Sequence, residues 1–311
     1  MNNDDMPNMN DKCLKVQAAS ADNHAHEVIE GERFEFGANW SRFIVLLNDE
    51  RIRQAEVSIQ RLLGGFDLRG KTFLDVGSGS GLFSLAAKRL GASVFSFDYD
   101  PQSVACTKEL KRLYFAADDQ WQVEQGSALD TGYLQTLGKF DVVYSWGVLH
   151  HTGDMWNALR NVGLLVRPGG LLSVAIYNDQ GKASTRWIAV QKLYNRIPSG
   201  LRLLVLLPSF AYLWGPPIIM DLIKLRPFRR WREYGRNRGM SPWVDLVDWV
   251  GGYPREVAKP EDIFNFYRGL GFTLRYLQTQ GGDMGCNEFT FERGFDMEPM
   301  GETIVSPRES A

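Results

Sequence analysis

The stretch FLDVGSGSGLFSLAA, residues 73 to 87, constrains the fold more than any other part of the chain. An apolar run that ends in glycines and continues with helical spacing predicts a strand, a tight turn and a helix. Such a turn lets a nucleotide lie close against the backbone. Gly77, Gly79 and Gly81 form G-x-G-x-G, whereas the dinucleotide fingerprint has its third glycine where this chain has Leu82. The turn therefore predicts a nucleotide site without choosing the nucleotide.

Short apolar runs alternate with helical patterns from residue 72 to residue 178, and again from 260 to 293. This alternation predicts βαβ units and a parallel sheet. The last two runs are joined by a short GGDMG loop, so we expect them to form an antiparallel hairpin. A helix near residues 47–65 is predicted to pack on the sheet edge. A second, beginning at Asp154 as its N-cap, is predicted to lead through an RPGG turn into the fifth strand.

Two carboxylates stand at the ends of the first two predicted strands. Asp75 precedes the first glycine by two residues, where it would repel a pyrophosphate and attract an ammonium group. Asp98 ends the second strand, where a carboxylate accepts hydrogen bonds from ribose hydroxyls or caps the next helix. Asp98 suits NAD equally well. Asp75 therefore distinguishes between the two cofactors. It favours S-adenosylmethionine (SAM), which carries an amino group and a sulfonium but no phosphate.

The quoted turn is followed by VFSFDYDP, VEQGSALD and FDVVYSWGVLHHTGDMWNALRNVGLLVRPGGLL, in the order and spacing of class I SAM-dependent methyltransferases. The chain resembles that family over residues 70–178, and over 255–293 by topology. The LHH…L…RPGG portion looks most like the branch that includes ubiquinone- and menaquinone-pathway methyltransferases. The resemblance implies an α/β fold. Its Rossmann-like, mostly parallel seven-stranded sheet has an antiparallel last strand and a helical insertion between strands five and six.

The resemblance also implies S-adenosyl-L-methionine as cofactor, S-adenosyl-L-homocysteine as product, and a set of binding residues. In the family, the glycine turn holds the methionine and ribose parts, Asp98 the ribose, and Tyr99 the adenine. Ser127 and Ala128 fall where relatives often carry an acidic residue for the adenine amino group, so the chain departs from the pattern there. Tyr99 and Trp146 equally suit core positions. The implied cofactor residues are Asp75, Gly77, Ser78, Gly79, Gly81, Asp98, Tyr99, Ser127, Ala128, Ser145 and Trp146.

His150 and His151 follow the fourth predicted strand, near the expected methyl group. A hydroxyl acceptor needs a base to remove its proton, and histidine titrates near neutrality. In relatives, paired histidines here also serve as helix-cap and packing residues, so the sequence leaves both roles open. The three cysteines are scattered, and we expect no metal site.

Residues 179–255 interrupt the alternating pattern with helical and proline-rich material. Residues 203–220 are nearly long enough to cross a bilayer. A single crossing, however, would put strands five and six on opposite sides of the membrane, and Pro208, Pro216 and Pro217 are expected to break the helix. Three interpretations remain: a helical lid that shapes an acceptor pocket, which we favour, a subunit interface of a homodimer, and a patch resting on a membrane.

Positive charge is concentrated in this insertion. Residues 179–250 contain 12 Lys or Arg against 5 Asp or Glu, whereas the whole chain has a net charge of -2. The excess suits either a solvated helix face or an anionic acceptor or surface. Trp40, Tyr253 and Arg255 are the predicted acceptor contacts.

The chain is therefore predicted to divide into a disordered segment (1–26), a helical arm (27–70), a SAM-binding core (71–178), the insertion (179–255), a helix and hairpin completing the core (256–294) and a tail (295–311). The predicted function is methyl transfer from SAM to a small-molecule or lipid-linked acceptor, with a hydroxyl oxygen as first choice. The alternatives are an RNA methyltransferase, an NAD-dependent oxidoreductase and a non-catalytic SAM-binding partner subunit. The polar N-terminus predicts a cytoplasmic location, with peripheral membrane contact left open.

Overall fold

The computed structural model describes residues 22–37, 40, 47–231, 242–281 and 285–295. Its seven strands are β1 Thr72–Val76, β2 Ser93–Asp98, β3 Trp121–Gln125, β4 Phe140–Trp146, β5 Val166–Tyr177, β6 Phe272–Gln278 and β7 Cys286–Arg293. They form one sheet in the order β3-β2-β1-β4-β5-β7-β6. Strands β1 to β5 pair in parallel, and β7 runs antiparallel to both β5 and β6. The predicted fold class is confirmed.

The helices fall into the sheet layers and the insertion. They are α1 22–29, α2 Asp49–Leu62, α3 Leu82–Arg89, α4 Pro101–Phe115, α5 Thr131–Leu137, α6 Met155–Leu164, α7 Lys182–Arg196, α8 Leu203–Ile223, α9 Pro242–Gly251 and α10 Pro260–Gly269. Two short 3₁₀ turns lie at Leu149–His151 and Ser199–Leu201. The strand order reverses at β1, which lies between β2 and β4, and this leaves a crevice at the carboxyl ends of these strands.

Both faces of the sheet are covered by apolar helix faces. On one side, Ile59 of α2 and Leu85 of α3 pack over Phe73 of β1. On the other, Leu159 of α6 and Tyr267 of α10 pack against the opposite side of the strands. Helix α2 thus lies on a face of the sheet beside α3 rather than at the predicted edge, because its buried stripe matches the apolar side of β1.

The predicted RPGG turn is a bulge inside β5. Phe140 and Val142 of β4 are two positions apart, but they face Val166 and Leu171 of β5, which are five apart. The intervening residues loop out, with Gly169 at a φ of +72°. The strand therefore begins five residues earlier than predicted.

The start of α6 also differs from prediction. Asp154 stands at the N-cap position but makes no side-chain cap bond. Instead, Oε2 of Glu256 accepts a hydrogen bond from the Met155 N–H at 2.8 Å. A residue that follows the insertion thus caps a helix that precedes it. Helix α5 was missed because it is only seven residues long.

The N-terminal segment differs from the prediction that residues 1–26 are disordered. Residues 22–29 are helical, and His24 in this helix is buried beside Asp100. The predicted boundary at residue 26 is therefore wrong, because packing against the core overrides the polar composition of this segment. Residues 1–21 and 296–311 lie outside the described residues.

The insertion has its own apolar cluster. Trp187 of α7, Leu206 of α8 and Val250 of α9 pack together. The ends of the insertion meet at an isolated β-bridge between Asn178 and Ala258, where the Asp179 N–H donates to the Ala258 carbonyl at 3.2 Å. The insertion is therefore a closed excursion from the end of β5.

Helix α8 runs without interruption through its three prolines. The prediction that they break it is wrong. Each proline removes one backbone donor while keeping a helical φ, and the carbonyls that lose a partner belong to residues 204, 212 and 213, of which 204 and 212 are exposed. By length and composition, the stretch Ser199–Ile223 is apolar enough to span a membrane, and only 11% of its apolar window is buried.

Candidate cofactor site

The turn between β1 and α3 requires glycine. Gly77 and Gly81 have φ angles of +77° and +79°, which residues with a Cβ disfavour. Space is restricted as well: a Cβ on Gly77 would lie 2.3 Å from Cγ1 of Val148, and one on Gly81 would lie 3.0 Å from the Thr107 backbone. The loop after β4 and helix α4 therefore pack directly on the turn.

The backbone amides of this turn are occupied within the chain. The Gly77 and Ser78 N–H groups donate to the Phe97 carbonyl at 2.8 and 3.1 Å, and the Gly79 N–H donates to Oδ2 of Asp98 at 2.8 Å. A pyrophosphate site points such amides at phosphate oxygens. Three of the amides that a dinucleotide would need are engaged here, which opposes the NAD alternative.

A cavity of about 450 Å³ opens beside the turn. Its charged lining groups are the carboxyls of Glu27, Asp98 and Asp130 and the guanidinium of Arg33, which is paired with Glu27 at 2.5 Å. The lining is therefore acidic on balance. Such a cavity favours a cationic, phosphate-free ligand over one that carries phosphates.

Asp98 is placed to accept hydroxyl donors from this cavity. Its Oδ2 accepts from the Gly79 N–H, and its Oδ1 accepts from the Asp100 N–H at 3.0 Å. Each oxygen keeps further acceptor capacity. Burial raises the pKa of Asp98 to about 7, so further donors would stabilise its ionised form. Asp98 does not cap α4, because the side chain of Asp100 does so by accepting from the Gln102 N–H at 2.8 Å.

Asp75 lies beneath the turn rather than in the cavity. It is 2% exposed, and its Oδ2 accepts from Oγ of Ser84 at 2.5 Å. Oγ of Ser84 contacts Oγ of Ser96 at 2.7 Å, and Nε1 of Trp121 donates to that serine at 2.9 Å. Burial raises the pKa of Asp75 to about 6. This placement differs from the expected position facing a cofactor amino group, because strand alternation turns the side chain toward α3.

Tyr99 forms part of the cavity wall rather than of the core. Its hydroxyl donates to Oε1 of Glu27 at 3.2 Å, and the Arg33 guanidinium lies 4.9 Å from its ring centroid. Burial is the main reason that the pKa of Tyr99 is raised to about 12, and the nearby Glu27 carboxylate adds to it. The ring is therefore held in place as a flat, neutral surface on the cavity.

The loop after β3 forms another wall of the cavity. Ser127 and Ala128 both border it. Oγ of Ser127 accepts from the Leu129 N–H at 3.1 Å, and Nδ2 of Asn161 in α6 donates to the Ala128 carbonyl at 2.9 Å. Asn161 thus fixes this loop. Sequence reasoning missed it, although a polar residue on the apolar face of α6 was a usable signal.

Residues 74–172 match the family model described as a methyltransferase domain. This chain carries a class I SAM-dependent methyltransferase domain. The match covers the glycine turn, Asp98, the loop after β3 and the loop after β4, which together form much of the cavity wall.

Curated relatives of this methyltransferase domain are named ubiquinone biosynthesis O-methyltransferase. That of Aeromonas salmonicida is 32% identical over 136 residues, or 43% of this chain and 55% of the relative. That of Caulobacter vibrioides is 32% identical over 166 residues, or 49% and 61%. The chain thus spans little more than half the length of these relatives.

Among solved structures, an O-methyltransferase family protein from Burkholderia thailandensis matches with a TM-score of 0.49 at 13% identity, covering 91% of this chain and 70% of that one. At this level the structural likeness adds nothing to the assignment of the methyltransferase domain.

The end of β4 brings Ser145 and Trp146 to the carboxyl edge of the methyltransferase sheet. Ser145 is fully buried, and its Oγ donates to the Val76 carbonyl at 3.0 Å. Trp146 is 43% exposed, and its Nε1 donates to Oε1 of Glu288 at 3.0 Å. Neither side chain borders the cavity that holds Asp98 and Tyr99. Trp146 nevertheless offers an exposed aromatic surface, so the core alternative does not describe it.

The two histidines of the methyltransferase domain lie in a buried packing cluster. The rings of His150 and Tyr177 are 3.9 Å apart, and Nδ1 of His151 lies 2.7 Å from the Pro254 carbonyl. Because a carbonyl only accepts, His151 carries its proton on Nδ1. Burial lowers the pKa of His151 to about 3 and lowers that of His150 well below its ordinary value. This environment favours the packing role over general-base catalysis.

The N-terminal arm, residues 22–37, closes one side of the methyltransferase cavity. Asn23, Glu27 and Arg33 line it. Nη1 of Arg33 donates to the His151 carbonyl at 2.8 Å, and the Gly37 N–H donates to Oδ2 of Asp100 at 2.7 Å. Sequence patterns did not point to Asn23 and Glu27, because their role depends on where the arm crosses the sheet edge.

The three predicted acceptor contacts lie at different places. The Trp40 indole packs on the glycine turn, 3.2 Å from where a Cβ on Gly79 would stand. Tyr253 accepts a backbone hydrogen bond from the Phe34 N–H at 2.8 Å, which ties the return of the insertion to the arm. Arg255 is 6% exposed, and its guanidinium carbon lies 4.0 Å from the Tyr177 ring and 4.1 Å from the Trp249 ring.

Arg255 differs from an ordinary structural arginine. Among the described residues, its Nε and Nη1 have no hydrogen-bond partner. Buried guanidinium groups normally pair with a carboxylate or another acceptor. The described residues contain no group of three or more His, Cys, Asp or Glu placed to hold a metal ion.

Proposed function

We propose that this chain transfers a methyl group from SAM to an oxygen of a small-molecule acceptor. One observation carries the proposal. Backbone N–H groups of the glycine turn are hydrogen-bonded within the chain, and the turn borders an acidic cavity. The site therefore suits a cationic adenosine compound without phosphates. The relatives named for O-methylation in ubiquinone biosynthesis make oxygen the acceptor atom to test first.

The residues around the cavity fit the parts of SAM. The carboxylate of Asp98 would accept from the ribose hydroxyls, and Tyr99 would lie against the adenine. The Ser127–Ala128 loop, held by Asn161, would border the adenine edge. When bound, SAM supplies an activated methyl group. The chain supplies alignment of that group with the acceptor oxygen, which recovers much of the entropy of a two-molecule reaction.

We propose that the acceptor lies on the side of the turn occupied by Trp40, Trp146 and the return of the insertion. Arg255 is the one predicted acceptor contact that is both charged and short of hydrogen-bond partners among the described residues. Two flanking rings keep it in place. An acceptor with an anionic group near its reacting oxygen would satisfy it.

Calorimetric titration tests the cofactor. SAM and S-adenosylhomocysteine should bind, and NADH should not. Asp98→Ala should weaken SAM binding about tenfold to a hundredfold, since hydrogen bonds to a charged group contribute about 1.5–3 kcal/mol. Asp119→Ala, an exposed carboxylate just before β3 and outside the cavity lining, is the control and should leave affinity unchanged. Tight NADH binding, or no SAM binding at millimolar concentration, would disprove the proposal.

Methyl transfer is tested with SAM labelled in its methyl group and a panel of phenols, with and without a carboxylate. Label should appear in an ether product that survives base, and Asp98→Ala should suppress it. With the accepted phenol, Arg255→Met should raise KM at least tenfold and leave SAM affinity unchanged, while Arg255→Lys should recover part of the loss. Label on nitrogen or carbon would refute the choice of oxygen.

A further inference from the structure

Helix α8 is apolar apart from Ser209 and Asp221, and both of these are buried. Its inner stripe includes Leu206, Ser209 and Leu213 and packs on α7 and α9. A helix that faces water on its other side carries polar residues there. The outer side of α8 instead carries large apolar residues that are each more than 40% exposed: Leu203, Leu204, Leu207, Tyr212, Ile219, Met220, Leu222 and Ile223.

The apolar surface continues beyond both ends of the helix. Leu201 precedes it at 51% exposure, and Leu225 and Phe228 follow at 88% and 51%. Soluble monomers rarely expose a contiguous apolar patch of more than a few hundred Å². The described residues leave this side uncovered, which is typical of a docking surface.

Exposed cations stand at both ends of the apolar surface. Lys192 and Arg196 lie before α8, and Lys224, Arg226 and Arg229 lie just after it. Two copies packed along this helix, in either direction, would bring cationic ends together. An anionic surface meets both ends with opposite charge.

We propose that α8 lies in the plane of an anionic lipid membrane, with its outer face among the acyl-chain boundary and its flanking cations at the headgroups. An element that presents one apolar face with cations beside it lies in the membrane interface, with the apolar side chains at the acyl-chain boundary and the cations at anionic headgroups. The helix does not cross the bilayer, because its inner face is packed on α7 and α9, and the chain re-enters the sheet next to its point of departure. This inference is independent of the proposed methyl transfer.

Co-flotation with lipid vesicles tests the proposal. The wild-type chain should float with vesicles of phosphatidylcholine mixed with phosphatidylglycerol. It should bind at least about tenfold more weakly to phosphatidylcholine alone, and the difference should shrink as salt rises. Failure to float with the mixed vesicles would overturn the proposal.

Two paired variants separate the apolar and the charged contributions. The double change Leu204→Gln and Ile223→Gln should reduce binding to mixed vesicles at least about tenfold, because each replaces an exposed apolar side chain that would enter the acyl-chain boundary. The matched control is Leu113→Gln with Leu164→Gln, two residues of similar exposure on α4 and α6, and it should bind like wild type. Lys224→Glu with Arg226→Glu should lose the preference for the anionic lipid.

Further readouts distinguish the competing occupants of this face. Unchanged SAM affinity in every variant shows that the fold and cofactor site are intact. A wild-type dimer without lipid that becomes monomeric on Leu204→Gln and Ile223→Gln, together with no flotation, would assign the face to a second copy and overturn the proposal. Retention on vesicles after alkaline carbonate washing would indicate a spanning helix and would also overturn it.

Discussion

At the carboxyl edge of the sheet, the amides of the glycine turn and the oxygens of Asp98 have partners within the chain. Along the outer face of α8, eight large apolar side chains are exposed. The first region is complete as folded and needs only a ligand that matches its charge. In the second region, the inner side of α8 is packed on α7 and α9, whereas its outer apolar side is not covered by the described residues. The two kinds of site therefore differ in what they expose. A cofactor site has unused hydrogen-bond acceptors inside a cavity, whereas a docking face has apolar side chains exposed on the surface.

The largest effect should come from the turn. Gly77→Ala should lower the free energy of unfolding by about 3 kcal/mol, through the left-handed backbone and the contact with Val148. Urea denaturation measures it. Gly200→Ala, in the 3₁₀ turn before α8 with open space around it, is the control and should stabilise by about 0.4–1 kcal/mol. Equal effects at the two glycines would refute the contrast between the regions.

The two sides of α8 should differ next. Leu206→Ala should destabilise by about 2 kcal/mol, because Leu206 is 5% exposed and packs with Trp187. Leu204→Ala, two positions away at 69% exposure, should change stability by less than about 0.5 kcal/mol in the absence of lipid. Thermal or urea unfolding compares the pair. A large loss at Leu204 would mean that the outer face is already covered.

The pH dependence of SAM binding probes the cavity side. The pKa of Asp98 is raised to about 7, and ribose hydroxyls would favour its ionised form, so SAM affinity should fall as pH drops below 7, by up to about tenfold per unit. Asp98→Asn should flatten this profile. The sign for folding is opposite. A carboxyl with a raised folded pKa contributes stability at low pH that is lost as pH rises from about 4 through 7.

The smallest expected effect is at the loop beside the cavity. Asn161→Ala should weaken SAM binding about threefold, since the loop keeps its other contacts and loses one hydrogen bond to Ala128. Asn157→Ala on the exposed side of the same helix should leave it unchanged. Isothermal titration measures both. A loss of a hundredfold or more would place Asn161 in direct contact with the cofactor.

Sequence periodicity predicted the sheet well, because strands buried on both faces read as apolar runs and the helices between them carry clear caps and stripes. It also placed Asp98 at the cavity, because the carboxyl ends of parallel strands lie at the same edge of the sheet. It misplaced Asp75, because the direction of one side chain depends on strand alternation. It missed the arm residues Asn23 and Glu27, whose role arises only from long-range packing.

The insertion was harder to read from sequence. Its apolar run was visible, but the persistence of α8 through three prolines depends on packing against α7 and α9. Which of its apolar residues face outward follows from that packing alone. The excess of Lys and Arg could be interpreted only with the structure, which places exposed cations next to the exposed apolar side chains of α8.

The β-bridge between Asn178 and Ala258 has a consequence for how such a chain can change over evolution. Since the excursion of nearly eighty residues leaves and rejoins the scaffold at one point, its length costs little in closure entropy. The insertion thus behaves as a unit that is joined to the scaffold at one place. A lineage can lengthen, trim or replace it, and so alter the outer surface of the chain, without changing the register of any strand.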